Sequence, residues 1–324
     1  MRITMKQHSL FISNFKIIFK IILIITILLI FLFGIVMPRF DNTYQAAIHD
    51  KIARLKSIEG SKIVLAGDST TAFGNNSKMI EEAFGMPVVN MGLHAGMGST
   101  LSLKLATLNI QPGDIYILSS MYYNSATVNP SVIWATFENH FDLYTLLTKE
   151  DIIPMIKALP RYLKICLDLY ASDRKYIFST SEEAKVYSRN SFNEYGDVST
   201  KRTNIFNENL YALPIDVSIK CLENINEINK IITEKGATLV VAVPAIPIGE
   251  QFEPLERYLI IQNTLKQHLN CPIIADFSNY LLEQKYFYDN PWHLTDEGAK
   301  VRTELLINDL RKWINNNNQK ENVD

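Results

Sequence analysis

The chain is 324 residues long, with 47% hydrophobic and 20% charged residues, which is ordinary for a globular protein of one large or two small domains. Its formal net charge of −2 argues against nucleic acid as a partner, because nucleic-acid-binding proteins usually carry a basic surface. The three cysteines are widely spaced and odd in number, so they favour neither a disulfide framework nor a zinc site. We therefore predict no metal and no cofactor.

The amino terminus carries a long apolar run. Residues 21–37 contain no charge, and residues 17–19 extend the run past Lys20. At about 1.5 Å per residue, residues 17–37 reach roughly the 30 Å of a bilayer core. Basic residues precede the run, so the positive-inside rule keeps the amino terminus in the cytoplasm. We predict a cytoplasmic segment at 1–16, a single transmembrane signal anchor at 17–37 and an extracytoplasmic remainder.

Two alternatives fit this run less well. A buried core helix that is apolar on all sides would need a much larger protein. A cleaved signal peptide has a shorter apolar region and a small-x-small cleavage site, and neither is obvious around residues 36–40. An uncleaved anchor in the cell membrane is the interpretation that we retain. Residues 38–60 then form a connector, which contains a short helix that stops at Gly60.

Strand, loop and helix alternate from residue 61 onward. Apolar strands are predicted from residue 61, at 87–92 and at 115–118, with helices at 77–84 and 99–108 between them. Three such units in about sixty residues predict an α/β fold, with a three-layer parallel sheet flanked by helices.

The alternation is interrupted at about residues 130–215, where aromatic-rich helical stretches and polar loops predict a mainly helical insertion. This insertion is either a cap over the sheet or a long surface excursion. Later elements are predicted as a helix at 217–235, a strand at 237–244, a helix at 255–269, a fifth strand at 272–276 and a final helix from 295 to about 314. One domain is thus predicted over 61–314, followed by a polar, disordered tail at 315–324.

The first strand ends in the small-residue turn Gly67-Asp68-Ser69. A hydroxyl placed just after this strand would lie at the carboxyl edge of the sheet, where open α/β sheets bind ligands. Ser69 is therefore a candidate nucleophile. The alternative is a polar turn in which Asp68 or Ser69 only caps the next helix. If Ser69 is the nucleophile, Asp68 is better suited to support the turn than to act as the catalytic acid.

A serine nucleophile needs a base, and the base needs a carboxylate to fix its tautomer. His293 lies in a loop just before a helix, with Asp289 and Asn290 upstream, so Ser69, His293 and Asp289 are the predicted catalytic residues. A histidine in a capping loop is the structural alternative for His293. His94, in the loop after the second strand, is the reserve base.

An acyl-transfer site also needs donors for the oxyanion of the tetrahedral intermediate. Three groups follow predicted strands and could meet at one edge of the sheet. They are the backbone N–H of Ser69, the backbone N–H of Gly92 and the side-chain amide of Asn124.

These residues resemble the motif blocks of the SGNH or GDSL-like hydrolases. Gly67-Asp68-Ser69 resembles the first block, Asn90-Met91-Gly92 the second, Asn124 the third, and the segment from Asp289 to His293 the last. The resemblance covers residues 61–124 and 217–312.

Two departures from the family pattern stand out. The common Asp-x-x-His spacing puts the acid at position 290, which is Asn290 here, and Asp289 lies one residue earlier. This Asp-x-x-x-His-Leu spacing resembles that of membrane-anchored cell-envelope members. The third block lacks the usual Gly-x-Asn-Asp around Asn124.

The resemblance implies an SGNH or flavodoxin-like fold and ester chemistry through an acyl-enzyme on Ser69. Similar anchored proteins take part in the O-acetylation of extracellular polysaccharides or the D-alanylation of lipoteichoic acid, with a multi-span membrane acyltransferase as partner. We therefore expect an extracytoplasmic O-acyl esterase or O-acyltransferase that acts on an envelope glycan or teichoic-type polymer. The alternative is a non-catalytic envelope assembly or binding protein with the same fold.

Overall fold

The computed structural model describes residues 2–31, 42–121, 123–124, 128–138, 140–171, 185–205, 216–249, 252 and 254–321. The chain divides into two compact units. One comprises Met1–Arg39 and Ile156–Phe178, and the other comprises Phe40–Met155 and Ser179–Asp324.

The helices are α1 (Arg2–Phe31), α2 (Ala47–Ser57), α3 (Ser69–Phe73), α4 (Ser77–Phe84), α5 (Gly98–Ala106), α6 (Pro130–Thr136), α7 (Lys149–Ala171), α8 (Ile219–Glu234), α9 (Leu255–His268) and α10 (Asp296–Glu321). The strands are β1 (Ile63–Gly67), β2 (Val88–Asn90), β3 (Ile115–Ser119), β4 (Thr238–Ala242), β5 (Ile246–Pro247) and β6 (Leu281–Leu282).

Helix α1 contains the amino-terminal apolar run as far as Phe31, and its large apolar side chains are exposed from Phe15 onward. Among the residues that the structure describes, no helix meets the length and apolarity needed to cross a membrane. The predicted span of residues 17–37 is described only as far as Phe31, and residues 32–37 lie outside the described residues.

The second unit is built on a four-stranded sheet in the order β2-β1-β3-β4. All three strand pairs are parallel, with Ile63 opposite Val88 and Ile115, and Ile115 opposite Thr238. The predicted α/β class with a parallel sheet and flanking helices is therefore confirmed.

Side chains alternate across the sheet and build a core on each face. In β1, Val64 and Ala66 belong to the larger core, whereas Ile63 and Leu65 belong to the smaller one. Helices α5 and α8 contribute to the larger core, and α4 and α10 to the smaller. Helices thus cover both faces, as in a three-layer fold.

A buried ion pair fixes the amino-terminal end of the sheet. Lys62 Nζ lies 2.9 Å from Asp114 Oδ2, and neither side chain is exposed. The backbone N–H of Lys62 donates to the other oxygen of Asp114 at 3.0 Å. Polar groups at this end are thus used to align β1 with β3, while the carboxyl-terminal end carries the predicted site residues.

Three elements differ from the sequence-based predictions. The predicted fifth strand is reduced to one parallel bridge between Val241 and Ile273. Val241 of β4 donates its N–H to the carbonyl of Pro272 and accepts the N–H of Ile274. Helix α7 is one continuous helix where separate helical stretches were predicted. Helix α10 continues to Glu321, so the predicted disordered tail is helical over 315–321, and residues 322–324 lie outside the described residues.

Part of the predicted insertion packs on the carboxyl edge of the sheet. The N–H of Asn90, at the end of β2, donates to the carbonyl of Tyr195, and Val198 donates to the carbonyl of Ala72 in α3. The buried carboxylate of Asp197 accepts from Ser77 and from the Asn90 amide. The segment around 187–198 is therefore part of the edge where the site lies, and is not a surface excursion.

Candidate active site

Strand β1 leads to Ser69 through a turn that requires a glycine. A Cβ at Gly67 would lie 2.1 Å from the carbonyl oxygen of Ser119 and 2.2 Å from Oγ1 of Thr71. The Thr71 hydroxyl donates to that same carbonyl at 2.6 Å and ties α3 to the end of β3. Because position 67 has no room for a side chain, the close approach of these segments depends on glycine. Ser69 begins α3 at the carboxyl edge of the sheet and is partly exposed.

Asp68 supports this turn from a buried position. Its carboxylate accepts hydrogen bonds from the N–H of Thr70 at 2.7 Å and from the Ser120 hydroxyl at 2.6 Å. The Ser99 hydroxyl donates in turn to Ser120 at 3.0 Å. Burial raises the pKa of Asp68, and the bonds from Ser120 and Thr70 oppose that change. Asp68 is thus the N-cap of α3, the turn-supporting role expected of it.

Asn90 and Gly92 bring the second loop against the same turn. A Cβ at Gly92 would lie 2.8 Å from the carbonyl oxygen of Asp68 and 2.7 Å from the nitrogen of Ala72, so only glycine permits this approach. The Asn90 side chain donates to the carbonyl of Thr71 at 3.0 Å and accepts from the N–H of Gly92 at 2.9 Å. The expected oxyanion donor Gly92 therefore packs against the turn that carries Ser69, and its N–H donates to the Asn90 side chain.

Asp289 and His293 form a hydrogen-bonded pair. Asp289 Oδ1 lies 3.0 Å from His293 Nδ1, and the side chains are only 15% and 10% exposed. An ionised carboxylate can only accept hydrogen bonds, so His293 Nδ1 carries the proton in its contact with Asp289. In a neutral ring, Nε2 then has no proton and can accept one. Burial alone raises the pKa of Asp289, but the hydrogen bonds from His293 and Tyr187 outweigh it and lower that pKa below its ordinary value. The pair has the tautomer of a general base oriented by an acid.

Two further side chains contact this pair. The Tyr187 hydroxyl donates to Asp289 Oδ2 and lies 2.9 Å from His293 Nδ1. Burial and the adjacent Asp289 carboxylate raise the pKa of Tyr187, so the phenol is neutral and its one proton goes to Asp289. Asn290 Nδ2 lies 2.8 Å from His293 Nδ1, but because that nitrogen is protonated the amide donates instead to Asp289 Oδ1 at 3.0 Å. The Asn290 Oδ1 accepts the N–H groups of Trp292 and His293, and these backbone bonds hold the NH₂ group beside the Asp289 carboxylate.

Phe73 contacts His293 from α3, the helix that begins with Ser69. Its ring stacks on the His293 imidazole, with the centroids 4.0 Å apart and the planes 10° from parallel. Ser69 and Phe73 are four residues apart in α3 and so lie on one side of the helix, about one turn from each other. Within the described residues, the polar side-chain contacts of the His293 ring are with Asp289, Tyr187 and Asn290, and none is with Ser69. Catalytic hydrogen bonds of this kind often tighten only when substrate binds.

Arg202 secures Phe73. The buried guanidinium donates to the carbonyl of Phe73 at 2.9 Å and lies 5.3 Å from the centre of its ring. It also pairs with Asp296 at 3.2 Å, at the first residue of α10. Because α10 follows the His293 loop directly, Arg202 links both partners of the Phe73–His293 stack.

Asn124, the third expected oxyanion donor, is exposed, and no hydrogen bond between described residues joins it to Ser69, Gly92 or His293. The residue that reaches the turn from the end of β3 is Ser120, through its bond to Asp68.

The reserve base His94 has the wrong tautomer for that role. Its Nδ1 accepts the N–H of Gly96 at 2.8 Å, which puts the proton of the neutral ring on Nε2. Burial lowers the pKa of His94, and the nearby Asp68 carboxylate opposes this. His94 therefore offers a hydrogen-bond donor at Nε2, whereas His293 offers an acceptor.

The described residues contain no group of three or more His, Cys, Asp or Glu side chains arranged to hold a metal ion. The three cysteines are buried; they are Cys166, Cys221 and Cys271.

Sequence reasoning missed three residues of this site: Tyr187, Ser120 and Arg202. Ser120 could have been found, because it directly follows β3 at the edge of the sheet. Tyr187 and Arg202 lie in the predicted insertion and meet partners 102 and 94 residues away, so no local motif points to them.

Comparisons of this chain with protein-family models, with curated proteins and with solved structures give no match. What the chain does is therefore inferred from its residues and their geometry.

Proposed function

We propose that the protein is an SGNH-like serine O-acyl esterase or O-acyltransferase that works through an acyl-enzyme on Ser69. The observation that carries this proposal is the partly buried Asp289–His293 pair, whose imidazole stacks on Phe73 of the helix that begins with Ser69. An acid bonded to Nδ1 leaves Nε2 as the proton acceptor, which is the arrangement that a serine nucleophile needs.

In the proposed reaction, His293 Nε2 takes the proton of the Ser69 hydroxyl as its oxygen attacks the ester carbonyl. The tetrahedral intermediate collapses to an acyl-serine, and His293 returns the proton to the alcohol that leaves. Water or a second alcohol then removes the acyl group by the same steps. Asp289 holds Nδ1, while Tyr187 and Asn290 position Asp289 and the ring.

The oxyanion donors proposed are the backbone N–H groups of Ser69 and Gly92 with the amide of Asn124. The Gly92 N–H would have to leave Asn90 Oδ1, its acceptor at 2.9 Å, or share its proton with the oxyanion. Asn124 would have to approach from an exposed position. These two requirements favour the second candidate function, a non-catalytic envelope assembly or binding protein that keeps the fold.

The proposed location is the outer face of the cell membrane, with residues 17–37 as a single anchor and the amino terminus in the cytoplasm. The exposed apolar side chains of α1 and the basic residues ahead of residue 21 support it. An enzyme held there most readily meets envelope polymers, so we propose a polysaccharide or a teichoic-type polymer as substrate and a multi-span membrane acyltransferase as partner.

A fluorophosphonate probe separates the two candidate functions, because it reacts only with an activated serine. We expect the full-length protein to be labelled, Ser69→Ala to lose labelling, and Ser57→Ala, which replaces an exposed serine that donates to the Arg54 carbonyl, to retain it as the control. Absence of labelling in folded wild-type protein would favour the binding protein, and labelling that survives Ser69→Ala would reject Ser69 as the nucleophile.

A further inference from the structure

Helix α7 carries an exposed apolar stripe. Met155, Tyr162 and Cys166 define its buried side, whereas Ile156 is 63% and Leu167 is 50% exposed. Ile156 and Leu167 are eleven residues apart, about three helical turns, so they lie on the same side of the helix. Ile152 and Ile153 extend this side, whereas the exposed Ile165, nine residues after Ile156, lies on the opposite side of the helix. A stripe of this kind on a helix normally faces another apolar phase.

A row of basic residues runs beside this stripe. Lys157, Arg161 and Lys164 follow one another at spacings of four and three, so they share one side of α7, and all three are exposed. Asp168, four residues after Lys164 and also exposed, continues this row at its carboxyl-terminal end. The segment therefore presents apolar side chains next to a row of three basic residues that ends in one acidic residue.

We propose that this part of α7 lies in the headgroup region of a membrane, with the apolar stripe at the boundary of the acyl chains and the basic row on anionic phospholipid headgroups. In-plane amphipathic helices have this composition, and basic residues near an anionic surface strengthen their binding. The inference rests on the membrane attachment proposed above for α1.

Two observations favour lipid over a protein partner. Residues 156–171 of α7 belong to the same compact unit as α1, the segment proposed to anchor the chain. Over residues 156–168 the three basic residues outnumber the single Asp168, so the row keeps a net positive charge that matches an anionic surface.

The test places an environment-sensitive NBD label on single introduced cysteines in the full-length chain. Ile156→Cys reports on the stripe, and Ile260→Cys on α9 is the control, because Ile260 is 64% exposed and matches Ile156. The native cysteines are buried and leave the introduced one as the accessible thiol. The protein is reconstituted into phosphatidylcholine vesicles with and without phosphatidylglycerol, and lipids brominated on the acyl chain serve as quenchers.

We expect the label at position 156 to shift to the blue and to be quenched by the brominated lipid, more strongly with phosphatidylglycerol, while the label at 260 stays in water. Replacing Lys157, Arg161 and Lys164 with Gln should remove the dependence on phosphatidylglycerol. The same change at Lys220, Lys230 and Lys312, which are exposed on α8 and α10, should not.

Flotation of the vesicles separates the two proposals. Protein that floats while position 156 remains in water would overturn the interfacial helix alone. Protein that does not float would overturn the membrane attachment and the helix with it. An apolar environment at 156 without quenching by the brominated lipid would show that a protein surface covers the stripe, and would also overturn the proposal.

Discussion

The carboxylate of Asp289 contacts Nδ1 of His293 at 3.0 Å, across four residues of a loop that is closed by backbone bonds to Asn290 Oδ1. The neighbouring Asn290 amide contacts the same nitrogen at 2.8 Å. Both positions therefore reach Nδ1, but only Asp289 can accept its proton. The structure thus explains how an acid placed one residue early can still orient the histidine.

Asp289→Asn should lower kcat for a small acetyl ester by about 10²- to 10⁴-fold, because an amide no longer fixes the tautomer with Nε2 unprotonated. KM should change little. Steady-state kinetics on folded protein measure this, and full activity in the variant would remove Asp289 from the mechanism.

Asn290→Asp tests the neighbouring position. A second carboxylate at Nδ1 favours the imidazolium, so the acid limb of the kcat/KM profile should move to higher pH. In the double variant Asp289→Asn, Asn290→Asp, the acid returns to the Asp-x-x-His spacing, and we expect partial recovery of kcat over Asp289→Asn alone. A double variant no better than the single one would contradict the idea that either position can orient the ring.

Tyr187→Phe should lower kcat about tenfold without changing KM, which corresponds to about 1–1.5 kcal/mol for one lost hydrogen bond to Asp289. Tyr44→Phe is the matched control, because Tyr44 packs beside Tyr187 but donates to the Leu93 carbonyl. The NMR chemical shifts of the His293 ring should differ from wild type in Tyr187→Phe and remain unchanged in Tyr44→Phe. Equal effects of the two variants would reduce Tyr187 to a packing role.

The parts that the sequence predicts correctly depend on local pattern. The apolar run at 63–67 and the glycine turn after it identify β1 and the turn that places Ser69 at its end, because strand burial and turn geometry are encoded within a few residues. Tyr187 is different, since its two partners are more than a hundred residues away and the tyrosine lies in a segment with no regular pattern.

The sequence predicts two elements wrongly for the same reason, because their structure depends on the elements around them. The segment at 272–276 is apolar enough for a strand, but its pairing with β4 is limited to one bridge at Ile273, and pairing is a tertiary property. The Asn-rich segment at 315–321 has weak helix propensity, yet it continues the helix that starts at Asp296.

Gly92→Ala should displace the turn that carries Ser69, because the new Cβ would meet the Asp68 carbonyl and the Ala72 nitrogen at under 3 Å. We expect a loss of about 1–3 kcal/mol in unfolding free energy and a fall in kcat. Gly60→Ala is the control: its φ of +81° makes alanine strained, but nothing lies within 4 Å of the added Cβ. It should lose stability and keep its activity, and loss of activity in both variants would point to a general folding defect.

Lys51 should make stability depend on pH. It is 2% exposed and donates to the carbonyls of Asn90 and Gly196, and burial lowers its pKa from 10.5 to about 7. Between these values the unfolded chain holds a proton that the native protein has lost, so this group's contribution to stability rises with pH and is flat below pH 7.

Urea unfolding of wild type and Lys51→Met over that range measures this contribution. The unfolding free energy of wild type should increase relative to the variant as the pH rises, and Lys230→Met, on an exposed lysine, should run parallel to wild type. Parallel curves for wild type and Lys51→Met would contradict the lowered pKa.

The acyl-enzyme itself is the most direct test of the proposed function. Wild-type protein mixed with an activated acetyl ester is quenched with acid during turnover, digested and analysed by mass spectrometry. We predict one acetyl group on the peptide that contains Ser69, and no such adduct in Ser69→Ala or His293→Ala. Turnover of the ester with the acetyl group on another residue, or with no covalent adduct under conditions where the ester is consumed, would contradict a nucleophilic role for Ser69.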